Sequence, residues 1–229
     1  MNAQTQKFTV AGPAGVLECL RDSAPSPPSR GVALIAHPHP LFGGTMDNKV
    51  VQTLARAFVQ AGWDAVRFNF RGVGRSEGVW DEGRGEVADF LAVLQDQAPD
   101  VQTPLAIAGF SFGAFVASHV VQQGRPNEGA EQSHDSAQSV RPIRKVVLVG
   151  TAASRFEVAP IPQALHPETL VIHGEQDDTV PLSSVLDWAR PQALPVMVVP
   201  GVEHFFHGQL PLLKRLVLAH LGQSEVAPG

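Results

Sequence analysis

Apolar residues in this chain gather in short runs: Val32 to Ala36, Ala65 to Phe70 (interrupted by Arg67 and Asn69), Leu105 to Phe110, Val146 to Gly150, Leu170 to His173 and Val196 to Val199. Short apolar runs of this kind predict buried strands of a parallel sheet. Between the second and third, Val87, Phe90, Leu91 and Leu94 recur at i, i+3, i+4 and i+7, which is one face of a helix. Leu212, Leu213, Leu216, Val217 and Leu221 form a similar stripe near the end. Asp47 to Ala61 is a third helix, with Val50, Val51, Leu54 and Phe58 on one side and Gly62 as its stop. Lys7 to Val10 and Val16 to Asp22 flank Ala11-Gly12-Pro13-Ala14-Gly15 and read as an antiparallel hairpin. The expected fold class is therefore α/β: a mostly parallel sheet of about eight strands, an N-terminal antiparallel hairpin, and helices on both faces.

Two stretches fall outside this alternation. Ser23 to Arg30 holds three prolines and reads as a loop, and Gly124 to Pro142 is polar and aperiodic, so a mobile surface loop is expected there. No internal repeat is visible, and the 229 residues are expected to form a single domain over 1–229.

Composition narrows the function classes. With 44% hydrophobic and 17% charged residues the chain reads as an ordinary globular domain. A net charge of -5 and scattered basic residues argue against nucleic acid or anionic lipid as a partner. No apolar run approaches the roughly 18 residues of a membrane span, and the start lacks the pattern of a signal peptide, so a cytoplasmic location is expected. The single cysteine, Cys19, excludes an internal disulfide and a thiolate zinc site, and it reads as packing on an early strand. The absence of tyrosine removes a phenol from any catalytic scheme.

The chemistry concentrates where runs end. Ala106 to Ala114 is a buried strand, then Gly109-Phe110-Ser111-Phe112-Gly113, then the small and apolar start of a helix. Gly-x-Ser-x-Gly in that setting puts a serine on a tight strand-to-helix turn with its hydroxyl projecting at the top of the sheet. The bland alternative is a glycine-rich turn with an incidental serine. A serine hydroxyl needs a base in hydrogen-bond reach, and the base needs a group to orient it. Downstream, Leu170 to Pro181 is a strand ending in a loop that carries Glu175, Asp177 and Asp178, and Val196 to Phe206 is a strand followed by His204.

From about Val32 to Leu221 the chain resembles the α/β-hydrolase superfamily, which carries nucleophile, acid and histidine after successive strands in this order. Through the family pattern His-Gly-x-x-Asp-x-x-Val-Pro, the resemblance assigns the acid to Asp177, with Asp178 in reserve. Through Gly-x-x-His-x-Phe it assigns the base to His204. It also implies an oxyanion hole made of the backbone N–H of Phe112 and one from the loop His37-Pro38-His39-Pro40-Leu41-Phe42-Gly43-Gly44. Proline has no N–H, which leaves His39 as the second donor, with Leu41 behind it. His37 matches a family histidine that holds the loop. Arg71-Gly72-Val73-Gly74-Arg75-Ser76 resembles a family turn that shapes the floor of the site; it misses both phosphate-loop templates, so Arg71 and Arg75 are expected to be structural. Within the superfamily the nearest likeness is to compact bacterial hydrolases similar to dienelactone hydrolases, here with serine in place of that enzyme's cysteine.

The resemblance implies a serine hydrolase acting on carboxylic esters of small or medium acyl or aromatic substrates, with no cofactor. A metal reading of His37, His39, His173, His204 and Asp177 fails for want of a ligand spacing. Only Thr151 to Thr169 separates the strand ending at Gly150 from the next, too little for a helical cap, so an open site is expected. Phe42, Phe110 and Phe205 are the expected substrate contacts, with core packing as their alternative. A base with an ordinary imidazole pKa predicts activity rising through pH 6 to 7, roughly. The partner is expected to be a small-molecule ester; nothing in the sequence fixes an oligomeric state. A thioesterase with the same residues, or a non-catalytic binding module on a hydrolase fold, stays open as an alternative.

Overall fold

A computed structural model describes residues 5–123 and 141–222. The expected loop at 124–142 therefore lies, apart from Arg141 and Pro142, outside the described residues. Eight strands form one sheet: β1 (Thr5–Gly12), β2 (Gly15–Asp22), β3 (Val32–Ala36), β4 (Asp64–Phe68), β5 (Leu105–Phe110), β6 (Ile143–Val149), β7 (Thr169–Gly174) and β8 (Val196–Val199). Their spatial order is β1-β2-β4-β3-β5-β6-β7-β8. β1 and β2 pair antiparallel, β2 meets β4 antiparallel, and every pairing from β4 to β8 is parallel.

The period-two alternation of the central strands sorts their side chains into two cores. On one face Ala33, Ile35, Ala106, Ala108, Val147, Val149 and Ile172 pack with helices α1 (Lys49–Gln60) and α5 (Leu210–His220). On the other, Leu34, Ile107, Val146, Leu148 and Val171 pack with α2 (Arg84–Gln97), α3 (Phe112–Gln123) and α4 (Leu182–Ala189). Burial of both faces is why β3 and β5 carry no polar residue. Among the described residues no helix is long and apolar enough to cross a membrane.

Some boundaries move for identifiable reasons. β4 ends at Phe68, two residues short of the apolar run, because Asn69 N–H turns to the Glu18 carbonyl (2.9 Å) and Phe70 N–H to His37 Nε2 (3.0 Å). β6 starts at Ile143, earlier than the run, since Lys145 at its edge pairs with Glu168 at 2.7 Å. The hairpin closes more tightly than the five-residue turn expected: Gly12 faces Gly15, leaving Pro13-Ala14 as the loop. α4 was not foreseen, because only Val185 and Ala189 of its eight residues are buried and they make too thin a stripe.

The segment from Phe70 to Gly83 is tied down by charge. Arg71 grips Asp89 of α2 with two hydrogen bonds (Nε to Oδ2 3.0 Å, Nη2 to Oδ1 2.7 Å), and its own amide adds a third to Oδ2 at 3.0 Å. Asp89 is fully buried and Arg71 nearly so, so removing either partner strands a charge in the core. Ser76 Oγ donates to the Asn69 carbonyl at 2.7 Å and accepts from Glu18 N–H at 2.9 Å.

Candidate active site

β3, β5, β7 and β8 all run toward the same edge of the sheet, so the loops after them converge there, as ligand sites do in open α/β sheets. Ser111 sits between the end of β5 and the start of α3 with φ of 56°, the left-handed region that L residues avoid. Such a conformation costs about 1–3 kcal/mol and needs enforcement. Ser111 N–H donates to the Val149 carbonyl at 2.8 Å, and its own carbonyl accepts from Ala114 N–H at 3.0 Å. The flanking glycines are needed for space. A Cβ on Gly109 would lie 2.1 Å from the Gly113 carbonyl oxygen, and one on Gly113 would lie 2.3 Å from that of Ala36. The turn is thereby packed directly against β3.

Ser111 Oγ lies 3.1 Å from His204 Nε2, and His204 Nδ1 lies 2.6 Å from Asp177 Oδ2. A nitrogen that close to a carboxylate carries the proton, which leaves Nε2 bare to accept from the serine hydroxyl. The other carboxylate oxygen of Asp177 accepts from Thr179 N–H (3.0 Å) and Val180 N–H (2.7 Å), so its orientation is fixed from the backbone. Asp178 joins none of this; it accepts from Thr179 Oγ1 at 3.4 Å on the exposed side. Ser111, Asp177 and His204 are 8%, 7% and 2% exposed, which shields the contacts from water while leaving Oγ reachable.

The remaining histidines divide by their partners. Phe70 N–H donates to His37 Nε2, so His37 Nδ1–H donates to the Pro38 carbonyl at 2.6 Å. Complete burial pushes its pKa down to about 4, opposed only by that carbonyl, so it stays neutral. His173 Nε2–H donates to the Val180 carbonyl at 2.9 Å and lies 3.5 Å from Asp177 Oδ2, while its buried Nδ1 has no partner. Burial also lowers its pKa. His39 accepts from Leu41 N–H through Nδ1 at 3.2 Å, and burial, then the positive charge of Arg155, hold it below the ordinary imidazole range. The four rings do not converge, and among the described residues no three His, Cys, Asp or Glu side chains are grouped as a metal would need.

The backbone amides of Phe112 and His39 donate to no acceptor among the described residues. Phe112 opens α3, so the partial positive charge of the helix terminus points at Ser111. A cavity of about 290 Å³ opens on Ser111 and His204, walled by His39, Phe42, Phe112, Ala152, Arg155, Phe156, Val180 and Phe205. Two larger hollows, of about 750 and 650 Å³, lie on charged surface away from Ser111; the first is lined by Asp22, Asp47, Gln52, Arg56 and Arg67, which hydrogen-bond and pair with one another.

Of the expected substrate contacts, Phe42 and Phe205 line the cavity and Phe110 does not. Phe110 is fully buried in the α1/α5 core, its ring 4.9 Å from that of His204, because strand alternation turns it to the face away from the opening. Arg71 and Arg75 do not line it either. The sequence reading missed Arg155 and Phe156, which follow β6, and Trp80, whose ring stacks 4.5 Å from His39. For Arg155 and Phe156 the available signal was their place in the segment after β6, on the edge where ligands bind; Trp80, twelve residues beyond the end of β4, carried no such signal.

A serine held on a strained strand-to-helix turn, with a histidine and an aspartate behind it, defines the α/β serine hydrolases. Comparison with known proteins agrees. Residues 29–152 match the family described as "Serine aminopeptidase, S33". The chain is similar to an α/β serine hydrolase homologue from Coxiella burnetii (36% identity, 94% of this chain and 97% of that one, TM-score 0.76). It is similar also to a Xanthomonas campestris α/β serine hydrolase described as lacking a lid (30% identity, 100% and 99%, TM-score 0.78). An uncharacterized protein of Rickettsia prowazekii is 36% identical over 207 residues, 85% of this chain and 79% of that protein. The chain belongs to the α/β serine hydrolases of the dienelactone-hydrolase-like type, a family of hydrolases.

Proposed function

We propose that this protein hydrolyses carboxylic esters through an acyl-enzyme on Ser111. The observation that carries this reading is the unbroken chain from Ser111 Oγ through His204 to Asp177, at 3.1 and 2.6 Å, on the wall of a cavity. Ser111 Oγ attacks the carbonyl carbon while His204 Nε2 takes its proton. Asp177 holds the imidazole in the tautomer that can accept it and stabilises the imidazolium that forms. The amides of Phe112 and His39 receive the oxyanion; both are free of other acceptors among the described residues, and the α3 terminus adds a favourable charge. His204 then returns the proton to the leaving alkoxide. A water, deprotonated in its turn by His204, attacks the acyl carbon; the bond to Ser111 Oγ breaks, His204 gives the proton to that oxygen, and the acid leaves.

The small aromatic-walled cavity favours short or medium acyl chains or a single aromatic ring. The lidless Xanthomonas relative supports an open site. A fluorophosphonate probe should form one adduct, on Ser111, and Ser111→Ala should lose it together with 4-nitrophenyl butyrate hydrolysis. Absence of the adduct, with aryl-ester turnover intact in Ser111→Ala, would reject the scheme. A matched butyryl thioester in the same assay separates esterase from thioesterase.

A further inference from the structure

The ring of His204 is held at both nitrogens, yet the backbone that carries it is strained. Two residues on, Phe206 has φ of 56°, a left-handed conformation that a bulky residue avoids and that its surroundings must enforce. Its ring is 1% exposed, packed in the core with α1 and α5. Its backbone is held by Glu203.

Glu203 Oε2 accepts from Phe205 N–H at 2.9 Å and Oε1 from His207 N–H at 2.6 Å, so one carboxylate gathers the amides on either side of Phe206. The carbonyl of Glu203 accepts from Phe206 N–H at 3.2 Å, and three successive amides thus turn back onto one residue. Partial burial disfavours the charge of Glu203, but the amides of His207 and Phe205, with the His207 ring 3.2 Å from Oε1, hold its carboxyl below the usual carboxylate range. The same stretch is packed against the end of β7, where a Cβ on Gly174 would lie 2.3 Å from the Val202 carbonyl oxygen and 3.1 Å from that of Glu203. The turn also fixes Phe205, whose ring meets that of His204 edge-on at 4.9 Å. Glu203 itself does not line the cavity.

A second carboxylate on this loop shows what is particular to Glu203. Glu175, from the loop after β7, holds a single amide, Gly201 N–H, through Oε2 at 2.9 Å. The carbonyl oxygen of a glutamine can serve one amide. It cannot serve two held by separate oxygens, because the glutamine NH2 then faces an N–H.

We propose that Glu203 is a positioning residue for His204: by closing the turn over Phe206 it fixes the backbone from which the imidazole reaches Ser111. This rests on the serine-hydrolase reading and adds to it a residue that acts on the reacting atoms only through His204. No bond forms or breaks at Glu203.

Glu203→Gln and Glu175→Gln, both isosteric, test it with 4-nitrophenyl butyrate. Glu203→Gln should lower plateau kcat about tenfold in the folded fraction while KM stays within about twofold, because a displaced base costs rate more than binding. Fluorophosphonate labelling of Ser111 should slow by the same factor. Glu203→Asp, which keeps both oxygens, should recover part of the loss, and Glu175→Gln should keep kcat within about twofold. An unchanged kcat in the folded fraction of Glu203→Gln, or loss of its fold outright, marks a support of the structure and overturns the inference. So does a loss confined to KM, or a moved pH midpoint with the plateau intact, which would mean a charge acting through space. Wild-type protein that neither turns over the ester nor takes the fluorophosphonate adduct removes the hydrolase reading and this inference with it; wild-type turnover with Glu203→Gln unaffected removes the inference alone.

Discussion

Two loops bury a histidine beside the serine turn, and they use it in opposite ways. In the loop after β3, His37 is fully buried and both ring nitrogens engage the backbone, at Phe70 N–H and the Pro38 carbonyl. In the loop after β8, His204 is 2% exposed and both nitrogens engage side chains, Ser111 and Asp177. Backbone groups do not titrate, so the first ring is a fixed strut whose pKa is driven down to about 4. The second sits between a hydroxyl and a carboxylate, where a proton has somewhere to come from and a charge to balance it. Burial alone does not separate a structural histidine from a working one; the nature of its two partners does.

That contrast can be broken or sharpened by substitution. The largest effect should come from His204→Ala, which should lower kcat/KM for an aryl ester by roughly four to six orders of magnitude with little change in urea midpoint. His37→Gln should do the reverse. It leaves a buried amide or carbonyl without its partner, so unfolding free energy should drop by about 1–3 kcal/mol, while the folded fraction keeps most of its turnover. The same strut sets an acid limit. Between the ordinary imidazole range and about pH 4, the unfolded chain takes up a proton at residue 37 that the folded chain refuses. Stability measured by urea titration should therefore fall as pH is lowered through that window, with the burial-depressed His173 and His220 acting in the same direction. His37→Gln should make the decline shallower. The smallest effect is expected from His39→Ala: its proposed role uses the main chain, so kcat/KM should fall less than tenfold, and a loss as large as that of His204→Ala would mean that the ring itself takes part.

How much of this could be read from the sequence depends on what made each feature. The runs at Val32–Ala36 and Leu105–Phe110 coincide with β3 and β5, because a strand covered on both sides can hold no polar residue; Val196–Val199 coincides with β8, although that edge strand leaves Met197 and Val198 exposed. Gly109 and Gly113 were legible because the turn forbids a Cβ at either place. The grouping of Ser111, Asp177 and His204 was what the family resemblance implied, and their side chains lie within hydrogen-bond reach of one another in succession. What escaped was set by tertiary direction instead of pattern. Phe110 looked like a neighbour of the site because it adjoins Ser111, yet strand alternation points it into the core. Arg155 and Phe156 sit in a segment with no periodicity at all, and only the fold bends them over the serine.

The fusion of the serine turn to β3 through Gly113 divides the molecule into a part that tolerates no redesign and a part that invites it. Leu41 and Phe42 are 65% and 73% exposed, Phe205 41%, and none of them supports a strand or the turn. An engineer seeking new selectivity can vary those three positions together with 155 and 156 while leaving the serine turn untouched. One reactive platform can thus be refitted for many compounds by changing only the lip around it.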